Sequence, residues 1–363
     1  MVTGIMKTQP RNPGYGFTLL ELVISMALGL LVLGSMASLF KTGLNSVMLV
    51  TQRAETQQNM RAAIDLMVKD ISMAGAGLPS GGIQLPTGNG SSLSDFGCDQ
   101  AAICHVPAFN YPNNNYMYGV IPGFNNGVEA NAVVAAAPPP IINDSITVIY
   151  SDYNFPLFEY DVAFPTPGDG TSIALTPNAA YVPPPPPVNA AGGIQVGDLI
   201  MLSNSLGTAV GEVTNLGPGF IEFADRDPLN INQNGAASNN VKAISTGANT
   251  IAYRLFAVTY YLTVPANGQT PRLMRQVNGL TPVPVADDII NLQFAYDTYN
   301  SGNGSLDPNQ SNPLAAGESP NLIQKINIVL MGQSILNNGN KSQNMYLATS
   351  VSARNMAFRN RYQ

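Results

Sequence analysis

The chain has 363 residues, enough for one large domain or two smaller ones with a buried core. Only 10% of the residues are charged, against about 25% in an average soluble domain, and 34 Gly and 28 Pro predict many turns. The net charge of −6 argues against a surface that binds nucleic acid over its whole face, because phosphate contacts need clustered Lys and Arg; a small basic patch is the alternative. The composition favours a loop-rich extracytoplasmic β protein over a cytosolic enzyme.

An almost uncharged run extends from Phe17 to Phe40, and its only charged residue is Glu21. Roughly 20 apolar helical residues cross a bilayer, so the run is long enough for one membrane span. A polar leader with Lys7 and Arg11 precedes it, whereas an ordinary secretory signal places its apolar region before the cut. This order predicts that the span stays with the mature protein. A carboxylate in hydrocarbon is costly and asks for a functional reason; snorkelling to the interface is the alternative.

The same helix is predicted to continue to Ala74. No proline interrupts residues 17–74, and beyond the span the apolar positions narrow to one stripe, clearest at Ile64, Met67, Val68 and Ile71. Gly75, Gly77 and Pro79 then supply the stop. About 58 residues at 1.5 Å each predict a rod on the order of 87 Å. A simple anchor with a coiled stalk is the alternative.

The remaining residues predict a β-rich domain. Runs dominated by β-branched and aromatic residues cover residues 145–150, 198–202, 209–213, 220–223, 251–264, 272–277, 289–296 and 323–331. Turn residues separate these runs at short intervals. The predicted fold class is α+β, with a long N-terminal transmembrane and stalk helix packed on a loop-rich antiparallel β-sheet domain.

Cys98 and Cys104 are the only cysteines. In an oxidising compartment they can close a small loop, so a disulfide is favoured. Two unpaired thiols, or a metal site with His105, are the alternatives, although that site lacks a fourth ligand.

A loop over residues 297–307 offers a weak calcium candidate in Asp297, Asn300, Asn303 and Asp307. These side chains carry oxygen ligands that suit calcium, but the EF-hand spacing and its terminal Glu are missing. Asn, Gly and Asp also form ordinary turns, which favours a solvated loop.

Catalytic signals are poor. His105 is the only histidine, and no Ser or Cys lies in a recognised nucleophile motif around it. No phosphate-binding loop or dinucleotide fingerprint is present. The sequence therefore predicts no enzymatic activity and no cofactor.

The residues Gly16-Phe17-Thr18-Leu19-Leu20-Glu21 resemble the class III signal of type IV pilins and type II secretion pseudopilins. The resemblance implies that a membrane peptidase cuts after Gly16 and methylates the new amine of Phe17. It also implies that Glu21 pairs with the terminal amine of a neighbouring subunit during assembly. The chain then divides into a leader (1–16), a transmembrane and polymerisation half of the helix (17–40), an amphipathic half (41–75) and an extracytoplasmic β-rich domain (76–363).

Further stretches resemble PilW-type minor pilins, with lower specificity: residues 61–77, 144–148, 197–200, 289–296 and 350–355. This resemblance implies a minor pilin in the priming or tip complex of a type IV pilus. Its partners would be the prepilin peptidase and N-methyltransferase, the major pilin, other minor pilins and the pilus assembly platform, with a tip adhesin as a further candidate. The protein would sit in the inner membrane with its C-terminal domain in the periplasm, then in the pilus at the cell surface. A J-type secretion pseudopilin and a tip adhesion or DNA-uptake subunit are the alternatives.

Overall fold

The computed structural model of the protein describes residue 14 and residues 16–86, 96–106, 116–127, 142–265, 271–313, 319–335 and 342–356. The chain forms two compact units, Met1–Arg53 and Ala54–Gln363. Helix α1 spans Leu19–Ser72, and α2, Val241–Ile244, is a single turn. Short 3₁₀ turns lie at Leu157–Glu159 and Pro320–Leu322.

Helix α1 begins two residues after the predicted start and ends two residues before the predicted end. Gly75 and Gly77 follow with φ of +74° and +72°, a left-handed conformation that glycine adopts without a Cβ clash. The most apolar window of α1 has a mean hydropathy of 2.2, and its side chains are exposed as far as Phe40. In the described part of the chain, α1 is the one helix long and apolar enough to cross a membrane.

The largest sheet has seven antiparallel strands in the order β13-β12-β11-β4-β3, and β7 joins β11 to β8. Strand β11 is 13 residues long and pairs with β4 on one side and with β7 and then β12 on the other. Its strands are β3 (Val120–Gly123), β4 (Ser145–Asp152), β7 (Leu199–Asn204), β8 (Gly207–Glu212), β11 (Ile251–Thr263), β12 (Arg272–Val277) and β13 (Val283–Ala286).

The described residues also form three smaller antiparallel sheets, in the orders β15-β14-β16-β17, β5-β6-β10-β9 and β1-β2. Their strands are β1 (Ile83–Gln84), β2 (Tyr116–Met117), β5 (Tyr160–Ala163), β6 (Ser172–Pro177), β9 (Asn215–Gly217), β10 (Phe220–Glu222), β14 (Ile289–Tyr299), β15 (Leu306–Gln310), β16 (Ile323–Ile335) and β17 (Ser342–Ser352).

The C-terminal part of α1 packs on the inner faces of the seven-stranded sheet and the β14–β17 sheet. Its buried residues recur at helical spacing: Thr56, Met60, Ala63, Ile64, Met67, Asp70 and Ile71. The apolar residues among them share one core with Val148 and Tyr260 of the first sheet and with Phe294 and Ile328 of the second. A side chain at Gly332 of β16 would collide with the Met60 sulfur, so the helix lies close against that strand.

The predicted α+β class is confirmed, with the long helix packed on antiparallel sheets. The eight predicted runs coincide with β4, β7, β8, β10, β11, β12, β14 and β16. The other nine strands of the described residues were not predicted, because most are short or contain proline. Strand β17 is the long exception: it mixes polar and apolar residues, and it pairs with β16 over 11 residues.

Candidate processing and assembly site

The start of α1 is fixed by the residues that carry the predicted signal. The hydroxyl of Thr18 accepts a hydrogen bond from the Glu21 N–H at 3.3 Å and donates to Glu21 Oε2 at 3.4 Å. The Thr18 carbonyl accepts from the Leu22 N–H at 3.1 Å. Thr18 is therefore the N-cap and Glu21 the third helical residue. The spacing is that of a Thr-x-x-Glu capping box, but the Glu21 carboxylate accepts from the Thr18 hydroxyl and not from the Thr18 N–H. The Thr18–Glu21 spacing is visible in the sequence, but the resemblance to pilins implied only an assembly role for Glu21.

Glu21 lies in the first turn of the helix, where the free N–H groups and the helix dipole favour a negative charge. Its side chain is exposed, and among the described residues no cationic side chain lies within ion-pair distance of it. The capping bond is therefore a polar contact without charge compensation. In hydrocarbon such a carboxylate is costly unless a cation pairs with it or it takes up a proton.

Gly16 and Phe17 precede the helix as exposed, non-helical backbone. A Cβ added at Gly16 would meet no atom within 4 Å, and the Phe17 side chain is 82% exposed. Both residues that flank the Gly16–Phe17 peptide bond are therefore exposed. Of the predicted leader, only Gly14 and Gly16 lie within the described residues.

The sulfur atoms of Cys98 and Cys104 form a disulfide across an isolated antiparallel bridge. They are bonded to each other, so in this state they are not the thiolate ligands that the metal alternative requires. His105 instead contacts Asp99 at 3.1 Å and stacks on Tyr261. Burial raises the pKa of Asp99, but the N–H groups of Ile103 and Ala101 and the His105 ring outweigh it and hold that pKa below its usual value.

The predicted calcium candidates each have protein partners. Asp297 forms an ion pair with Lys325 at 2.8 Å and accepts from the Asn309 N–H, while Asn300 donates its amide to Asp307 at 2.9 Å. The oxygen of Asn303 accepts from Ser305. Two of the four residues are drawn into strands, Asp297 in β14 and Asp307 in β15. Within the described ranges, no three acidic, His or Cys side chains cluster in a way that could hold a metal ion.

A buried carboxylate ties the last turns of α1 to the large sheet. Asp70 accepts hydrogen bonds from the hydroxyls of Tyr150 at 3.0 Å and Tyr260 at 2.6 Å, and from Arg275 Nε at 2.8 Å. These three donors lie on the adjacent strands β4, β11 and β12. Burial and the nearby Asp70 raise the pKa of both tyrosines, so both remain hydroxyl donors. No pattern in the local sequence indicates this contact, because the three donors lie far from Asp70 along the chain.

An open cleft of about 600 Å³ lies between β6, β10 and α2. Its lining includes Asp169, Thr171, Glu222, Asp225 and Lys242, most of them exposed. The carboxylates of Asp169, Glu222 and Asp225 accept hydrogen bonds from neighbouring residues. Ligand pockets are mostly apolar with a few convergent polar groups, which this lining does not resemble.

The domain thus follows a helix that is long and apolar enough to cross a membrane, and Gly16 and Phe17 lie just before that helix. The sequence model of the prokaryotic N-terminal methylation motif matches residues 12–37. No curated protein and no solved structure matches the chain. The chain therefore carries a type IV pilin-like prepilin signal. That motif implies processing by a prepilin peptidase and assembly with pilin subunits.

Proposed function

We propose that this chain is a minor pilin of the PilW type. Prepilin peptidase cuts it between Gly16 and Phe17, the new amine of Phe17 is methylated, and the subunit enters the priming or tip complex of a type IV pilus. The observation that carries the proposal is the methylation motif over residues 12–37, which opens onto a helix of membrane length.

Glu21 is the proposed assembly contact. Its carboxylate has no cationic partner among the described residues, and it lies near the start of the apolar run. The methylated amine of a neighbouring subunit's Phe17 is a cation of the same membrane depth. Bringing the two together offsets the cost of the charge in hydrocarbon and favours the correct register between helices.

The proposed division of labour follows the sequence boundaries. Residues 1–16 are removed, 17–40 hold the subunit in the inner membrane and then in the filament, and 41–75 join this part to the domain. Residues 76–363 lie in the periplasm and later on the pilus surface. A domain this large would crowd every layer of a filament, which supports a minor subunit with the major pilin, other minor pilins, the assembly platform and a tip adhesin as neighbours.

Mass spectrometry of the mature N-terminus tests the processing step. In cells with active peptidase we expect a chain that begins at N-methylated Phe17. A Gly16→Val variant should keep its leader, as should the wild-type chain in cells without the peptidase. A wild-type chain that retains residues 1–16 in the presence of active peptidase would contradict the proposal.

Three variants separate the assembly role of Glu21 from its capping role. Glu21→Gln keeps a side chain suited to the capping box but has no charge, Glu21→Ala has neither, and Thr18→Ala loses the cap while keeping the charge. We expect all three to be cleaved, both Glu21 variants to be depleted from sheared pili, and Thr18→Ala to be retained. Normal incorporation of Glu21→Gln would show that the charge is dispensable.

Deletion of the gene separates the pilus from its main rival. A minor pilin should be present in sheared pili, and its loss should reduce piliation. Loss of exoprotein secretion with intact pili would assign the chain to a type II secretion system instead.

A further inference from the structure

Strand β17 is an exposed edge of unusual length. It has 11 residues, and among the described residues only β16 pairs with it. The sequence of Ser342–Ser352 contains no charged residue and no proline. Natural sheets usually blunt such an edge with charges, proline or a short strand, because unpaired N–H and C=O groups recruit other strands.

The other sheet ends in the described part of the chain are blunted in these ways. Strand β15, at the opposite end of the same sheet, has five residues that include Asp307 and Pro308. Strands β3 and β13 have four residues each, with Pro122 and Pro284. The lack of protection is thus specific to β17 and does not reflect the composition of the whole chain.

The register shows which groups of β17 face outward. The N–H of Ala353 bonds to the carbonyl of Gln324, and Lys325 is paired with Ser352. Hydrogen-bonded and non-bonded pairs alternate in an antiparallel ladder, so odd-numbered residues of β17 direct their N–H and C=O groups at β16. The even-numbered residues direct theirs away from the sheet: Asn344, Tyr346, Ala348, Ser350 and Ser352.

Apolar side chains flank this edge on both faces of the sheet. On the outer face Tyr346 is 71% exposed and Val329 40% exposed. On the inner face Met345 and Leu347 pack against the core but are only half-buried. A strand added at this edge would therefore bury apolar surface on both faces as well as complete the backbone ladder.

We infer that the edge pairs with β17 of a second copy of this chain, antiparallel and about a two-fold axis at Leu347. This register overlaps all 11 residues of both strands, since Leu347 is the midpoint of Ser342–Ser352. Each outward N–H then meets an outward C=O, because even residues pair with even residues. Tyr346 lies opposite Ala348 of the other copy, and Leu347 opposite Leu347. An isologous contact needs such self-complementarity, and β17 has no charge to oppose it.

Sedimentation of the full chain in a non-ionic detergent tests this dimer. We expect wild type to sediment as a dimer and two edge variants as monomers. Ala348→Pro removes an outward N–H without touching the ladder to β16, and Tyr346→Lys places like charges near the axis. Leu206→Lys, an exposed apolar residue in the β7–β8 hairpin, is the matched control and should remain dimeric.

Cysteine cross-linking tests the register. Residue 347 faces itself in a non-hydrogen-bonded pair, whose short Cα separation suits a disulfide. Leu347→Cys should therefore cross-link into a dimer on mild oxidation, whereas Asn344→Cys, which faces Ser350, should not. A monomeric wild type overturns the inference, as does a dimer that both edge variants leave intact. Neither result bears on the proposed pilin function, which stands on the N-terminal motif.

Discussion

Replacing Asp70 by alanine should destabilise the domain strongly. The substitution removes the acceptor of two buried tyrosine hydroxyls and the anion paired with Arg275, whose side chain is 21% exposed. Removing one partner of a buried ion pair typically costs about 3–5 kcal/mol. The partial exposure of Arg275 lets water solvate its charge, so we expect about 3–4 kcal/mol, near the lower end of that range.

More conservative variants show how much of this loss in unfolding free energy comes from the charge of Asp70 and how much from a single hydrogen bond. Asp70→Asn keeps an oxygen that can accept from one tyrosine but loses the charge, and we expect a cost of about 2 kcal/mol. Tyr260→Phe removes one hydroxyl and should cost roughly 1–2 kcal/mol. In a double-mutant cycle Asp70→Ala and Tyr260→Phe should be strongly non-additive, because both remove the same hydrogen bond.

The free energy of unfolding is measured by urea titration of the full chain in detergent micelles. Near-UV circular dichroism of tyrosine reports on the domain, since the chain has 15 Tyr and no Trp. Asp65→Ala, an exposed acid on the same helix, is the matched control and should change stability by less than about 0.5 kcal/mol. If Asp70→Ala lowers the free energy of unfolding no more than the control does, Asp70 does not hold α1 against the large sheet.

Three further outcomes follow from other buried groups. Burial and the neighbouring Asp227 raise the pKa of Glu212 from 4.5 to about 10. Between these two pH values the folded state holds a proton that the unfolded chain releases. The free energy of unfolding therefore falls as the pH rises through this range. Glu212→Gln should flatten that slope, by up to about 1.4 kcal/mol per pH unit, in urea titrations at several pH values. Replacing both Cys98 and Cys104 by alanine should lower the free energy of unfolding by about 2 kcal/mol, measured under oxidising conditions. Met67→Ala should cost about 2–5 kcal/mol in the same titration, because Met67 is fully buried between helix and sheets.

Each of these outcomes has a matched comparison. Glu222→Gln, at a half-buried acid of β10, should not change the slope of the free energy of unfolding against pH. An unchanged slope in Glu212→Gln would contradict the prediction that Glu212 keeps its proton in the folded state. Met73→Ala, at an exposed methionine just past α1, should be nearly neutral. Reducing agent should destabilise the wild type but not the variant without cysteines. Equal effects on both proteins would show that the lower free energy of unfolding does not come from loss of the disulfide.

Local sequence was sufficient for the long elements. An apolar segment that is rich in leucine and free of proline favours a helix through local preference alone. Gly75 and Gly77 end this helix because glycine adopts the left-handed conformation readily. Runs such as Ser145–Asp152 and Ile251–Thr263 were recognisable because β-branched and aromatic residues fit a pleated, buried surface. Strand β17 was not, since its polar residues have weak intrinsic preference and gain their conformation from the ladder to β16.

The functional and structural contacts also differ in whether the local sequence contains them. Gly16, Phe17 and Glu21 lie within six consecutive residues, so the signal and the cap of α1 are both written in the local sequence. By contrast, Asp70 and its donors are separated by 80 to 205 positions along the chain. Nothing in the local sequence relates such residues, because their contact exists only when β4, β11 and β12 are already side by side.

The sequence by itself determined that the protein has a prepilin signal, a membrane-length helix and a β-rich domain, because each depends on neighbours within a few turns or strands. Only the tertiary structure decided which carboxylate anchors the helix to the sheet and which strand remains an open edge. Both depend on strand order and register, which arise from pairing between distant segments and not from the preference of any one of them.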